Sequence, residues 1–378
     1  MINKKPLGIR IKDVNKKCDM NAAKCRIKKT QYNPEMMFQK LVSIFEVNSI
    51  NTPKWISELS GQYFLFRIAE ELNINLFDDD EYCSLLQKIV DGFRQNFVNG
   101  NFEIAEKRNI VNNFETKCMI DTMFNDDNEG NGYAETRHAA IYITDQTFFR
   151  NYLYGLTFYI GKNVNTPVFS KIYEVSLQGL MSKNAIDKAG GWKLYRLPWL
   201  TSRILINLKD SFTKEDIKIK KALRSLLNND RFTKNGLWKS GVSVRISDYE
   251  STALCLEALS AYDEIESNIE MLKKTFDYLL VDSLENWINQ IDFIDEEKSN
   301  ISLGVIMLSS VLCRIITKHK LEEYDQQVSR LKDVFVYSLN SFLKQGVFNI
   351  KTLQYNSIPT MLYYILIVLK EDLNDVEQ

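Results

Sequence analysis

Two short stretches constrain what this chain can fold into. Asn235-Gly236-Leu237-Trp238 reads as a Gly/Trp turn. Ser247-Asp248-Tyr249-Glu250-Ser251-Thr252-Ala253-Leu254 follows it, with paired acids opening a tightly packed apolar helix. A weaker copy lies upstream: Gly190-Gly191-Trp192, then Pro198-Trp199-Leu200-Thr201, its Trp about one repeat length before Trp238. A turn and an apolar helix that recur as a unit predict stacked helical hairpins, because one hairpin cannot bury its own apolar face.

The rest of the second half fits that pattern. Helices are predicted near 168–181, 198–209, 214–227, 249–262, 265–281, 300–317, 321–344 and 357–370, joined by segments with Gly, Asn, Pro or Asp. Those beginning near Pro198, Tyr249, Asn300 and Ser357 are richer in apolar and small residues than those between. Buried and amphipathic helices therefore alternate at roughly 50 residues per pair, which predicts an inner layer and a solvent-facing outer one. In the first half, helices are expected from Asn33-Pro34-Glu35, from Pro53 through Leu72, and after the acidic run Asp78-Asp79-Asp80-Glu81, which suits a helix N-terminus through the dipole. Residues 101–124 are one helix plus an irregular piece, 125–132 a loop with the acids of 126–129, and a helix containing His138 starts at Tyr133. No β alternation of useful length occurs. The expectation is an all-α chain. After a basic arm at 1–32, residues 33–378 form one domain of about five to six hairpins closed into an α/α toroid, with an open solenoid as the alternative.

Composition narrows the function classes. Hydrophobic residues make up 45% and charged residues 26% of the chain, a globular balance. A formal net charge of −1 excludes nucleic-acid binding driven by overall electrostatics. The basic arm, from Lys4 to Lys29, admits a solvated extension, an anionic membrane surface or a diphosphate-bearing ligand as readings. No apolar signal core follows the first lysines, so a cytoplasmic protein is expected. The apolar runs are too short to span a membrane, which leaves peripheral contact. The six cysteines lack metal or redox spacing; Cys255 and Cys313, in apolar runs, read as small hydrophobes.

The Gly-Trp turn with Asp248-Tyr249-Glu250-Ser251-Thr252-Ala253 resembles the repeat of the squalene-cyclase-like and prenyltransferase-like α/α toroids. The likeness is clear over about 183–262 and architectural elsewhere. In the class II terpene cyclases of that superfamily, a Gly-Trp element precedes Asp-x-Asp-Asp-Thr-Ala at the start of an inner helix. Asp248 falls on the first aspartate of that motif, Glu250 on the middle one, and Ser251 replaces the last. The resemblance implies proton-initiated cyclisation of an isoprenoid in a central apolar cavity, without a cofactor. Glu250 would be the acid and Asp248 its partner. Trp192, Trp199, Trp238, Tyr249, Ser251, Tyr133 and His138 would line the substrate site, the aromatics facing a migrating cation.

A structural reading stands beside the catalytic one. Asp248 can cap the helix by accepting from the N–H of Glu250 or Ser251, and buried aromatics are most often packing. Zinc is not expected: the two histidines, His138 and His319, have no neighbouring Cys. Phosphate loops and nucleophile elbows are absent. The alternatives to a cyclase are a non-catalytic toroid binding a peptide, lipid or partner protein, and a carbohydrate-active α/α barrel with two facing carboxylates.

Overall fold

Helix accounts for 75% of the described residues of the computed structural model, and no strand occurs among them. These residues are 38–39, 59–76, 147, 150–162, 167–183, 185–192, 197–240, 246–284, 303–345 and 357–374. The basic arm, the acidic clusters at 78–81 and 126–129, Tyr133, His138 and the four N-terminal cysteines lie outside them.

The helices are α1 (Leu59–Glu71), α2 (150–161), α3 (Pro167–Leu180), α4 (Pro198–Leu208) and α5 (Ile217–Leu226). They continue with α6 (Asp248–Ala261), α7 (Ile269–Asp277), α8 (Leu303–His319), α9 (Asp325–Gln345) and α10 (Ser357–Asn374). The predicted alternation is present. In α4, α6 and α8 nearly every residue between the ends is buried, whereas α5 and α7 bury one stripe, Ile219, Ala222, Leu223 and Leu226 in the first, Leu272, Thr275 and Phe276 in the second. The apolar helices pack in succession: α4 on α6, α6 on α8, α8 on α10 and α10 on α1. The amphipathic α9 packs on both α8 and α10, and α5 on α4.

Helix α2 joins α1 and α4. Asn207 of α4 donates through Nδ2 to Asn151 Oδ1 at 2.9 Å and accepts at Oδ1 from Tyr63 OH of α1 at 2.6 Å. At Gly155 the three helices approach so closely that a Cβ would lie 2.7 Å from Tyr63 Cε2 and 3.0 Å from Asn207 Nδ2.

Three apolar helices stop in the same way. Asn73, Asp263 and Lys320 have φ of 54°, 54° and 51° just past α1, α6 and α8. The next N–H in each case reaches back to the last turn: Ile74 to Ala69 O, Glu264 to Leu259 O and Leu321 to Ile316 O. This is the Schellman arrangement, in which a left-handed residue lets the chain satisfy otherwise orphaned helix carbonyls.

Two predicted helices are divided. The segment 265–281 opens with a 3-10 turn, Glu266–Asn268, runs as α7, and widens into a π turn, Tyr278–Asp282. Likewise a 3-10 turn, Glu322–Tyr324, precedes α9. Apolar periodicity marks where a helical path runs but does not distinguish these hydrogen-bond patterns.

Candidate functional site

The two Gly/Trp units are built to one plan. Gly190 and Gly236 take φ of 98° and 80°, a conformation that a side chain at either position would strain. Each glycine also abuts a helix: a Cβ on Gly190 would lie 2.4 Å from Lys221 O of α5, and one on Gly236 2.9 Å from Thr275 Oγ1 of α7. Trp192 donates from Nε1 to Leu180 O, and Trp238 to Leu226 O, both at 2.8 Å and both across twelve residues. The main-chain N–H of each Trp then donates to a threonine of the following helix, Trp192 to Thr201 Oγ1 at 3.2 Å and Trp238 to Thr252 Oγ1 at 2.9 Å. Each turn is thereby pinned between the helix before it and the apolar helix after it.

The acids of the second unit are engaged in the same fastening. Ser247, rather than Asp248, is the N-cap of α6. Its Oγ accepts from Glu250 N at 3.2 Å, and its N–H donates to Glu250 Oε2 at 2.8 Å, the two halves of a capping box. The expected cap at Asp248 is corrected by one residue, because Asp248 is already helical and its carboxylate turns back to the loop. There Oδ1 accepts from Ser240 N at 2.7 Å. Trp199 Nε1 holds the carbonyl of the same Ser240 at 3.1 Å, and Ser251 Oγ donates to Lys239 O at 3.3 Å. Thr252 Oγ1 completes the set by donating to Asp248 O at 2.6 Å. Gly304 of α8 backs onto the cap, where a Cβ would lie 2.6 Å from Ser247 Oγ and 3.0 Å from Glu250 Cγ.

Of the residues predicted from the sequence as a site, Trp199, Trp238, Asp248, Tyr249, Glu250 and Ser251 gather at the start of α6, Trp192 fastens the start of α4, and Tyr133 and His138 lie outside the described residues. Trp192, Trp199 and Trp238 are fully buried and Ser251 is buried with them. Tyr249 and Glu250 are half-buried. Cys255 is buried beside Ser202, whose Oγ lies 3.3 Å from its Sγ. Burial, the largest influence, pushes the Cys255 thiol up to about 12, which keeps it a packing residue.

A second constellation lies where α1, α2, α4, α6 and α10 meet. Arg67 of α1 is buried, and its Nη1 donates to Tyr63 OH at 2.9 Å while Nη2 donates to Tyr363 OH. Its guanidinium carbon stands 4.8 Å from the Tyr363 ring centroid and 5.4 Å from that of Tyr159, within cation–π range. Glu257 of α6, also buried, accepts at Oε2 from Tyr364 OH at 2.6 Å. Burial raises the Tyr364 hydroxyl well above its ordinary range, and the Glu257 charge adds to it. Tyr63 is raised by burial too, against the opposing charge of Arg67. These phenols therefore stay protonated and act as donors.

Arg67 and Glu257 both line a cavity of about 670 Å³. Its lining includes the C-terminal ends of four apolar helices, at Glu71 of α1, Lys209 after α4, Ser260 and Ala261 of α6, and Lys318 of α8, together with Asp263, Arg314 of α8 and Lys332 of α9. Lys209 and Lys318 have the sign that helix C-termini favour, and Lys318 also pairs with Asp263 at 2.7 Å. A crevice of about 20 Å³ lies between Arg67, Glu257, Asn207 and Tyr364.

Sequence reasoning did not single out Arg67 or Glu257, although each left a signal. Arg67 is a lone cation in Phe64-Leu65-Phe66-Arg67-Ile68-Ala69, and Glu257 a lone acid in Leu254-Cys255-Leu256-Glu257-Ala258-Leu259. A charge inside an otherwise buried helix needs a reason, since burying one ion costs several kcal/mol unless it is partnered. Among the described residues no helix is long and apolar enough to cross a membrane. Comparison with protein families, with curated proteins and with solved structures finds no match to this chain.

Proposed function

We propose that the chain is an α/α toroid that serves as a binding module, taking a polar ligand into the cavity at the C-terminal ends of α1, α4, α6 and α8. The order of packing supports the ring: α4, α6, α8 and α10 follow one another, α10 meets α1, and α2 bridges α1 back to α4. The observation that carries the binding reading is the cavity wall. It combines a volume suited to a small ligand with the buried charges Arg67 and Glu257, and among the described residues no tryptophan or residue of the Glu250 cap lies on it.

Proton-initiated cyclisation of an isoprenoid, with Glu250 as acid, is the second reading. The recurrence of the Gly-Trp and Thr pairing favours it, since that pairing is what the resemblance rests on. It requires Glu250 to leave its capping role and present a proton to an apolar cavity. One experiment separates the two. Wild type and Glu250→Gln are incubated with isoprenoids of several chain lengths and the products analysed, while a ligand panel is screened by melting temperature. Binding predicts no cyclic product and a rise in Tm with polar compounds, by about 3 kcal/mol of stabilisation at a hundredfold excess over Kd. A cyclic product formed by wild type and lost in Glu250→Gln would overturn it.

A further inference from the structure

Helix-end electrostatics account for Lys209 and Lys318 at the cavity rim, but not for Arg67 and Glu257, which lie within α1 and α6. Among the described residues neither is fully satisfied. A guanidinium has more N–H donors than any other side chain, and the contacts of Arg67 with Tyr63 and Tyr363 leave its Nε without a partner. Both of those partners are neutral hydroxyls. Glu257 receives a single hydrogen bond, from Tyr364, and Oε1 has none among the described residues. The two opposite charges line the same cavity, yet they form no ion pair with each other. Unused donor capacity on a cation and unused acceptor capacity on an anion, each bonded to tyrosines and both lining one cavity, are complementary to a ligand that carries both signs.

We propose that the ligand of this cavity is a zwitterion of the amino-acid or short-peptide class, its carboxylate received by Arg67 and its ammonium by Glu257. The inference rests on the binding reading above and names the ligand class for the same site. Arg67 suits the carboxylate because its planar fork remains charged under all conditions of interest. Glu257 suits the ammonium because it is the buried acid of a wall that also holds Glu71 and Asp263. The C-terminal ends of four helices converging there offset the lining cations Lys209, Arg314, Lys318 and Lys332. Tyr63, Tyr363 and Tyr364 act as positioning residues that hold the two charges apart.

The test titrates the full chain calorimetrically with amino acids and dipeptides, each as the free zwitterion, the N-acetyl form and the C-terminal amide. Inorganic phosphate, a dicarboxylate and an isoprenoid alcohol serve as contrast probes. Free forms are expected to bind, and either block is expected to weaken binding by about tenfold or more, as when a buried charge loses its partner. Glu257→Gln, which keeps size and shape, is expected to abolish the distinction between free and N-acetyl forms while preserving the penalty for the amide. A purely structural Glu257 would weaken all forms alike, and that result overturns the proposal. Equal binding of free and blocked forms also overturns it, as does binding of only phosphate or dicarboxylate, and the binding reading survives in those cases; binding of only the isoprenoid overturns both. Absence of binding by every probe overturns both.

Discussion

Helices α4 and α6 are neighbours that begin from the same kind of joint and diverge at nearly every point after it. Both follow a Gly/Trp turn, and in both a threonine accepts the Trp main-chain N–H. Two positions before that threonine stands Trp199 in one and Glu250 in the other. Helix α4 starts with Pro198 and no side-chain cap, whereas α6 starts with the Ser247–Glu250 capping box. In the middle, Glu257 lines the cavity from α6, while Arg203 of α4 reaches the Tyr152 hydroxyl and the Trp199 face. The shared features belong to folding, and the differences mark where a loop is held or a buried charge lines the cavity. An acid at the position of a catalytic motif is therefore not evidence of catalysis until the hydrogen bonds it already makes have been assigned.

The largest test of the comparison is the tryptophan itself. Trp192→Ala and Trp238→Ala each remove a fully buried indole and orphan a helix carbonyl, so each is expected to cost about 3–5 kcal/mol in denaturant unfolding. Near-equal losses would establish the two units as energetic equivalents. A loss at Trp192 much smaller than at Trp238 would break the equivalence and make the second unit the principal one.

Next is the helix start, where the units differ. Glu250→Ala removes half of a capping box and is expected to cost about 0.5–2 kcal/mol, whereas Glu250→Gln is expected to be nearly neutral because Gln fills the same role. Trp199, the counterpart in α4, caps nothing; Trp199→Phe forfeits the bond to Ser240 O instead, at about 1 kcal/mol. A Glu250→Ala variant as stable as wild type would remove the capping explanation and reopen the question of why an acid stands there.

Much of this architecture was legible in the sequence, for a physical reason. Apolar content, Gly/Trp turns and Pro198 act within a few residues, so α4, α6 and the buried-versus-amphipathic alternation could be read locally. The buried charged pair could not. Arg67 is surrounded by tyrosines from positions as distant as Tyr363, and the partner of Glu257 is Tyr364 on another helix. Their meaning depends on which helices are neighbours, which local pattern does not encode. The motif residues carry two readings at once, because a loop fastened by Asp248, Ser251 and Trp199 uses the same residue types as an acid site lined by aromatics.

The smallest predicted effect lies where the two helices end. Helix α4 finishes at Leu208 with Lys209 beyond it, whereas α6 stops at the left-handed Asp263, paired with Lys318 of α8. The hydrogen bond from Lys318, reinforced by its charge, holds the Asp263 carboxyl below its ordinary value of 3.8. A depressed carboxyl stabilises the fold at pH above its unfolded value, and the contribution disappears as pH falls through the lower folded one. Both side chains are largely exposed, so solvent screening limits the pair to about 0.2–1 kcal/mol. Asp263→Asn should lower Tm slightly at neutral pH, match wild type in strong acid, and differ less from it in high salt. A difference that persists in acid would shift the effect from charge to backbone, since Asn and Asp both tolerate the left-handed conformation and should fasten the helix end alike.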